Sequence, residues 1–329
     1  MHSAHSPSSE DALRLTSVSK RYAHHIAVNS LSLSVPRGSV YGLLGPNGAG
    51  KTTTIRMILN IIAPDEGSIE VLGRPSSDQS VVDRLGYLPE ERGLYRKMRV
   101  RDVLRFLARL KSVPKSGLDA RIDSWLERFQ LRGNGGEDWG KARVDELSRG
   151  MQQKVQFIGA LLHDPELVVL DEPFSGLDPV NAQALKDTVA DLRKRGRTVI
   201  FSTHVMENAE RMCDAVCIIS RGEKVLDGSM NEVREHHGAR VIVIGLESAA
   251  SDATNAVLRD RELVQRVNDG NHLIEAELTP QGDAQQLLSR LIATGARIER
   301  FELMRPSLHR IFLEKVGAGG VEVGLSGHG

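Results

Sequence analysis

The stretch GLLGPNGAGKTTTI, Gly42 to Ile55, sets four glycines and a proline beside one lysine and three threonines. Within it, Gly45-Pro46-Asn47-Gly48-Ala49-Gly50-Lys51-Thr52 fits the phosphate-binding pattern G-x-x-x-x-G-K-[ST]. Glycines let backbone N–H groups turn inward around an anion, where a Cβ would block the approach. Lys51 then reaches the β- and γ-phosphates of a nucleotide, and the Thr52 hydroxyl sits on Mg²⁺. The flanks agree with a P-loop. VYGLL (Val40 to Leu44) reads as a buried strand, and TTTIRMILNII reads as a helix whose N-terminus faces the phosphate. Gly45 through Thr53 are therefore expected to bind nucleotide, although the pattern alone does not say which machine uses it.

The chain has 329 residues, enough for two domains. Lys+Arg and Asp+Glu balance at 43 each, which argues against a dedicated polyanion binder. No nucleic-acid partner is expected. Cys213 and Cys217 are the two cysteines, so no disulfide framework is implied and a reducing compartment fits. Their spacing alone suggests a metal pair, but no clustered ligands accompany them, and they read as buried thiols. No apolar run approaches the ~18 residues of a membrane helix. The N-terminus lacks a secretory h-region, so residues 1–12 read as a disordered tail, as do residues 317–329. Any membrane role is expected to come through a partner.

Short strands alternate with turns from Leu13 to Gly73. Helical stripes follow, one of Val103, Leu104, Phe106, Leu107 and Leu110, another of Ile122, Trp125, Leu126 and Phe129. LRGNGGEDWG is a glycine-rich loop. From Val144, helix and strand alternate as in a parallel α/β sheet, with LVVL (Leu167 to Leu170) and TVIF (Thr198 to Phe201) as buried strands. AVCIISRGEKVLDG reads as a hairpin turning near Gly222. After about Met230 the order becomes βαββαβ, a ferredoxin-like split arrangement. It includes a hairpin at Asp269-Gly270 that directs Ile274, Ala276 and Leu278 to one face, and a helix striped by Leu287, Leu288, Leu291 and Ile292. A last helix covers Ser307 to Val316. The expected division is an ATPase domain over 13–229, with a helical subdomain at about 90–160, and an accessory α+β domain over 230–316.

The strand LVVL runs into Asp171-Glu172. A carboxylate at the end of a buried strand beside a P-loop suits an outer anchor for Mg²⁺, which is Asp171, and the adjacent Glu172 suits a general base for the attacking water. Between the two motifs lies ELSRGMQQKVQFIGALL. Ser148 and Gly150 at the start of its helix make a second anion site, or an ordinary helix cap. LSRGMQQK resembles the ABC ATPase signature, commonly written LSGGQ. Other stretches resemble the same family. Tyr22 in KRYAHHIAV resembles the aromatic residue that stacks on adenine, while His24 and His25 read as surface residues. GYLPEERGLY occupies the Q-loop position, with Glu90 where most members have glutamine. SGLDP resembles the D-loop, with Asp178 near the dimer seam. His204 in FSTH resembles the switch histidine that reaches the γ-phosphate.

The resemblance covers roughly residues 13 to 229. It implies an α/β P-loop NTPase core of the ABC ATPase type, with antiparallel β and helical subdomains and a small ferredoxin-like C-terminal domain. GYLPEERGLY, LSRGMQQKVQF and PSLHRIFLEKVG further resemble the ATP-binding subunits of type-2 ABC exporters, and within them the sodium-extruding Nat-type branch. Arg149, at the first glycine of LSGGQ, and Glu90 fit that branch. The family implies ATP and Mg²⁺ as cofactors. It also implies an ATP-bound homodimer in which Ser148, Gly150 and Asp178 act in trans, and a separate permease on the cytoplasmic face of the cell membrane. Lys51, Glu172 and His204 would be catalytic, with Mg²⁺ held by Thr52, Glu90 and, through water, Asp171. Tyr22 would join Gly45 to Thr53 in binding ATP. Two rival readings remain. One is a soluble ABC ATPase acting on a ribosome or DNA, although the single P-loop and lack of heptads fit it less well. The other is regulation through a ligand of the C-terminal domain.

Overall fold

The computed structural model describes residues 11–91, 93–132, 138–237, 240–269, 273–304 and 307–317. The chain divides into two compact units after Met230.

The first unit begins with two long strands, β1 (Asp11–Tyr22) and β2 (His25–Pro36). β3 (Val40–Leu44) and α1 (Lys51–Ile58) follow, then β4 (Glu66–Val71), β5 (Arg74–Pro75), α2 (Gln79–Val82) and β6 (Leu85–Leu88). Next come α3 (Val100–Leu110), α4 (Leu118–Arg128) and α5 (Arg149–Leu161). The unit closes with β7 (Leu167–Asp171), α6 (Pro179–Lys194), β8 (Thr198–Thr203), α7 (Met206–Met212), β9 (Ala215–Ser220) and β10 (Glu223–Ser229). β3 has the bounds read from the sequence, while β1 and β2 are longer than the short strands expected before Gly73. β1 also takes in Asp11 and Ala12, expected to be tail, because Ala12 is fully buried and Asp11 pairs with Arg14 at 2.7 Å. The remaining tail residues, 1–10 and 318–329, lie outside the described residues, as do 133–137 of the glycine-rich loop.

Two sheets organise this unit. One is antiparallel, in the order β2-β1-β4-β5. The other has the order β10-β9-β3-β8-β7-β6, parallel except for the β9–β10 hairpin. β3, β7 and β8 are buried along their whole length, as strands covered on both faces must be. Register brings their C-terminal ends level: Leu44 pairs with Thr203, and Asp171 with Ser202. Ligands of open α/β sheets bind at this edge. The helical stripes hold at Val103, Leu104, Ile122, Leu126 and Phe129, all fully buried, but Leu110 is exposed at the last turn of its helix.

In the second unit α8 (Met230–His237) leads into β11 (Val241–Leu246) and α9 (Asp252–Leu258). β12 (Val264–Asp269), β13 (Leu273–Leu278), α10 (Ala284–Ala293), β14 (Ile298–Met304) and α11 (Leu308–Gly317) complete it. The sheet order β12-β13-β11-β14 is that of the ferredoxin-like arrangement. Ile274, Ala276 and Leu278 are buried with Leu287 and Leu291 in one core, while Ile292 of the expected stripe is exposed. Gly270, in the hairpin turn read from the sequence, lies outside the described residues.

Candidate nucleotide-binding site

The loop from Gly45 to Gly50 joins β3 to α1 at the sheet's C-terminal edge. Gly45 has φ 153° and Gly50 φ 106°. A Cβ on Gly45 would stand 2.1 Å from the Ile219 carbonyl oxygen of β9, and one on Gly50 would stand 2.3 Å from that of Ala27 in β2. Neighbouring strands thus demand these two glycines before any ligand does. Gly48, at φ 78°, has open space on that side and, like Gly50, borders the cleft. The β9–β10 turn pins the loop from below: the Gly222 amide donates to the Ala49 carbonyl at 2.9 Å, and the Gly222 carbonyl accepts from Asn29 at 2.8 Å.

Lys51 is only 6 % exposed. Its Nζ donates to the Gly45 carbonyl at 2.7 Å and the Pro46 carbonyl at 3.1 Å, and lies 3.7 Å from Glu172 Oε1. Burial lowers its pKa, while the carboxylates of Glu172, Asp171 and Glu90 oppose that shift. The ammonium folds back on its own loop and offers a charge that phosphate oxygens are able to take over.

Glu172 stands just past β7 in the left-handed region, at φ 47°. Such a backbone position is costly for a non-glycine residue and is often found at functional sites. Its amide donates to Ser202 Oγ at 3.0 Å, and the Ser202 hydroxyl donates to Asp171 Oδ1. Glu172 Oε1 meets His204 Nδ1 at 2.9 Å. One cross-strand serine therefore holds the Asp171 carboxylate and the Glu172 backbone together. Asp171 Oδ2 is buried and has no hydrogen-bond partner.

A cleft of about 330 Å³ is lined by Asn47, Gly48, Ala49, Gly50, Lys51, Thr52, Thr53, Glu90 and Glu172, together with His25 and Ala27. Gly45 and Pro46 bear on it through the carbonyls that hold Lys51, and His204 through Glu172. Tyr22 is 46 % exposed and is not among the lining residues. It stacks on His25 with ring centroids 5.5 Å apart, and His25 is the ring that borders the cleft. Ser148, Gly150 and Asp178 lie elsewhere. Ser148 caps α5, accepting from Met151 N at 3.3 Å, and Asp178 caps α6, accepting from Asn181 N at 3.0 Å. A Cβ on Gly150 would sit 3.5 Å from Asn181 Nδ2, so these residues form a second cluster of their own. Met151 is a further departure from LSGGQ, at its fifth position.

Two residues of α5 escaped the sequence reading. Gln153 Nε2 donates to the Pro173 carbonyl at 2.7 Å, just after Glu172, and Gln156 Nε2 donates to the Glu91 carbonyl at 3.1 Å, just after Glu90. Both are buried. Amides at i and i+3 in an otherwise buried helix were the available signal. Cys213 closes α7 and Cys217 is buried in β9; among the described residues no group of three or more ligand-type side chains is placed to hold a metal ion. Nor is any described helix long and apolar enough to cross a membrane.

Residues 28–175 match the ABC transporter family, and residues 228–316 match the C-terminal domain of DrrA1-3-like ATP-binding proteins. The uncharacterized ABC transporter ATP-binding protein YhaQ of Bacillus subtilis is 42% identical over 306 residues, covering 93% of this chain and 99% of that protein. The chain belongs to the ABC transporter ATP-binding proteins. The Nod factor export ATP-binding protein I of Rhizobium sp. is 37% identical, across 94% of this chain and 98% of the relative. Among solved structures, an ATP-binding subunit of an ABC transporter matches with TM-score 0.62 at 30% identity, over 69% of this chain and 93% of that one. Another, cbiO1 of Clostridium perfringens, part of the cbiONQ transporter complex, matches with TM-score 0.58 at 25% identity, over 68% and 90%. The protein is thus an ABC ATPase, an ATP-binding and ATP-hydrolysing subunit of a transporter, and such subunits work with separate membrane permeases.

Proposed function

We propose that this ABC ATPase powers an exporter by closing, with ATP, into a homodimer beneath a membrane permease at the cytoplasmic face. The observation that carries the catalytic half of this reading is the chain of contacts Lys51–Glu172–His204, buried at its centre and lying along the P-loop cleft. ATP would be bound by Gly45 to Thr53, its phosphates replacing the two carbonyls that hold the Lys51 ammonium. Glu172 accepts the proton of the attacking water, and His204, bonded to the same carboxylate, orients it and faces the γ-phosphate. Thr52, Glu90 and, through water, Asp171 suit Mg²⁺; the unpartnered buried oxygen of Asp171 is the feature that fits a cation nearby. When bound, the ion supplies charge neutralisation at the β- and γ-phosphates.

The cluster of exposed Ser148 and Asp178 with half-buried Gly150 would complete a second copy's site. The likeness to a Nod factor exporter's ATP-binding protein supports the direction of transport. Glu90, Arg149 and the stretch PSLHRIFLEKVG support sodium as cargo, through their resemblance to the Nat-type branch. Glu91, beside Glu90, is held by Gln156 of α5, and the segment from Glu90 to Lys111 would carry the nucleotide state to the permease. The test is ATP-dependent sodium uptake into inverted membrane vesicles from cells that express the chain with its permease. Uptake that disappears with Glu172→Gln supports the reading. Robust ATPase activity that follows ribosomes or nucleic acid, with no membrane-bound fraction, would favour the soluble alternative.

A further inference from the structure

The sheet of the second unit ends on β14, which pairs with β11 on one side and with no described strand on the other. Edge strands of this kind are templates for pairing unless they are short, covered, bulged or protected by charged side chains or proline. β14 reads IERFELM over seven residues, with no lysine or proline; its charges are Glu299, Arg300 and Glu302, so any partner strand must match them. Ile298 and Phe301 pack against the core on one face, while Glu299, Arg300, Glu302, Leu303 and Met304 are exposed. Leu303 and Met304 retain 53% and 42% of their accessible surface. Glu299 is the extra residue of a bulge against Gly245 and Leu246, so the regular ladder runs from Arg300 to Met304.

The charges on this edge select an occupant. Arg300 and Glu302 share one face of the strand and bond to each other, Nε to Oε2, at 3.0 Å. An antiparallel pairing of β14 with the same strand of a second copy must oppose residues of the same face. That leaves symmetric registers centred on Phe301, Glu302 or Leu303. Centring on Glu302 sets two carboxylates against each other, and centring on Leu303 sets Glu302 against Met304. Centring on Phe301 sets Arg300 opposite Glu302 of the second copy, twice, with Phe301 facing its twin. Opposite charges directly across a ladder stabilise it and like charges destabilise it.

We propose that β14 is a self-complementary docking edge on which a second copy of this chain adds its own β14, antiparallel and centred on Phe301. The two C-terminal sheets then form one continuous sheet. The contact needs no nucleotide and is distinct from the ATP-dependent dimer proposed above. Because the bulge at Glu299 shortens the ladder, its dissociation constant is expected at about 10–100 μM.

Sedimentation of the full chain without nucleotide tests it, using wild type, Arg300→Glu, Glu302→Arg and an equimolar mixture of the two variants. Each variant alone puts like charges opposite each other and should weaken the dimer by ~10-fold or more. The mixture restores both opposed pairs between chains, although each chain alone keeps a like-charged 300/302 pair, and should return to wild-type affinity as a heterodimer. Circular dichroism and basal ATPase activity, which these residues do not serve, confirm that each variant is folded. If charge reversal unfolds the unit, Arg300→Gln and Glu302→Gln should still weaken the dimer, by a smaller factor. A wild type that stays monomeric to about 100 μM, where the expected affinity requires a large dimer fraction, would overturn the proposal. So would a mixture no tighter than its components, or growth beyond dimers, which would signal pairing of β14 with the other edge, β12.

Discussion

The P-loop turn and the signature turn are alike in plan. Each opens a helix on a small residue, Gly50 before α1 and Ser148 before α5. They differ in what surrounds them. The P-loop turn is enclosed by its own chain: β2 and β9 press on Gly50 and Gly45, Gly222 pins Ala49, and Glu172 stands 3.7 Å from Lys51. At the signature turn Ser148 and Arg149 are exposed, and a Cβ on Gly150 would meet, among the described residues, only Asn181 of α6 and Leu177 of the D-loop within 4 Å. Four walls make a site that a single chain can occupy. A turn with one wall is half of a site, and in the homodimer proposed above its missing surface comes from the second copy.

The strongest way to test the enclosed half is Glu172→Gln. The variant should bind ATP but hydrolyse it ~10²–10⁴-fold more slowly, as expected for loss of a general base, and should accumulate as an ATP-bound dimer on gel filtration. Turnover close to wild type would remove Glu172 from that role.

The exposed half is tested by mixing chains. A dimer of one Lys51→Ala chain and one Ser148→Arg chain gathers both lesions in one of its two sites. It should retain roughly half of wild-type activity, while each homodimer falls to background, provided catalysis at one site does not need the other. Equal inactivity of the mixture would count against contacts in trans. Ser148→Ala sets the scale of the stability lost with the cap, about 1 kcal/mol.

Glu90 lies between the two cases, exposed yet part of the cleft lining. Glu90→Gln keeps the shape and removes a hard anionic ligand. The Mg²⁺ concentration for half-maximal ATPase activity should rise several-fold, by about the 1 kcal/mol scale of a partly exposed charge contact. An unchanged titration would leave Glu90 as a solvated loop acid.

The smallest effect concerns the far end of the signature helix. His163 follows α5, its Nε2 2.9 Å from the Leu85 carbonyl, and burial lowers its pKa from the usual 6.5. Below pH 6.5 the unfolded chain takes up a proton that the folded chain resists, so this residue makes stability fall as pH drops toward the folded value. His163→Gln should flatten the melting temperature between pH 7 and 5. A slope unchanged in the variant would show that this end of α5 is not the sensitive group, and that the contrast with its exposed N-terminus is overstated.

What could be read from the sequence was what is contiguous. The P-loop, Asp171-Glu172 and His204 each sit at the end of a short buried strand, and strand polarity alone aligns those ends. The second unit was legible because its order of elements admits few topologies. What escaped depends on long-range approach. His25 borders the cleft because the β1–β2 turn brings it there, and no local pattern marks it. Ser202 joins Asp171 to Glu172 across a register that only the sheet defines. Leu110 and Ile292 fit their helical stripes but lie near helix ends, where the face rotates past its cover.

The Gly222 turn bears on where the chain can be cut. Its two backbone bonds, to Ala49 and Asn29, hold the phosphate loop against β2, and β10 is the strand that keeps this turn closed. A shortened protein ending at Arg221 would retain every sequence motif of the nucleotide site and lose the brace beneath it. One ending at Ser229 keeps the brace. The smallest nucleotide-competent fragment is therefore defined by a hairpin that touches no nucleotide, and limited proteolysis with ATP present should preserve a core that extends through β10.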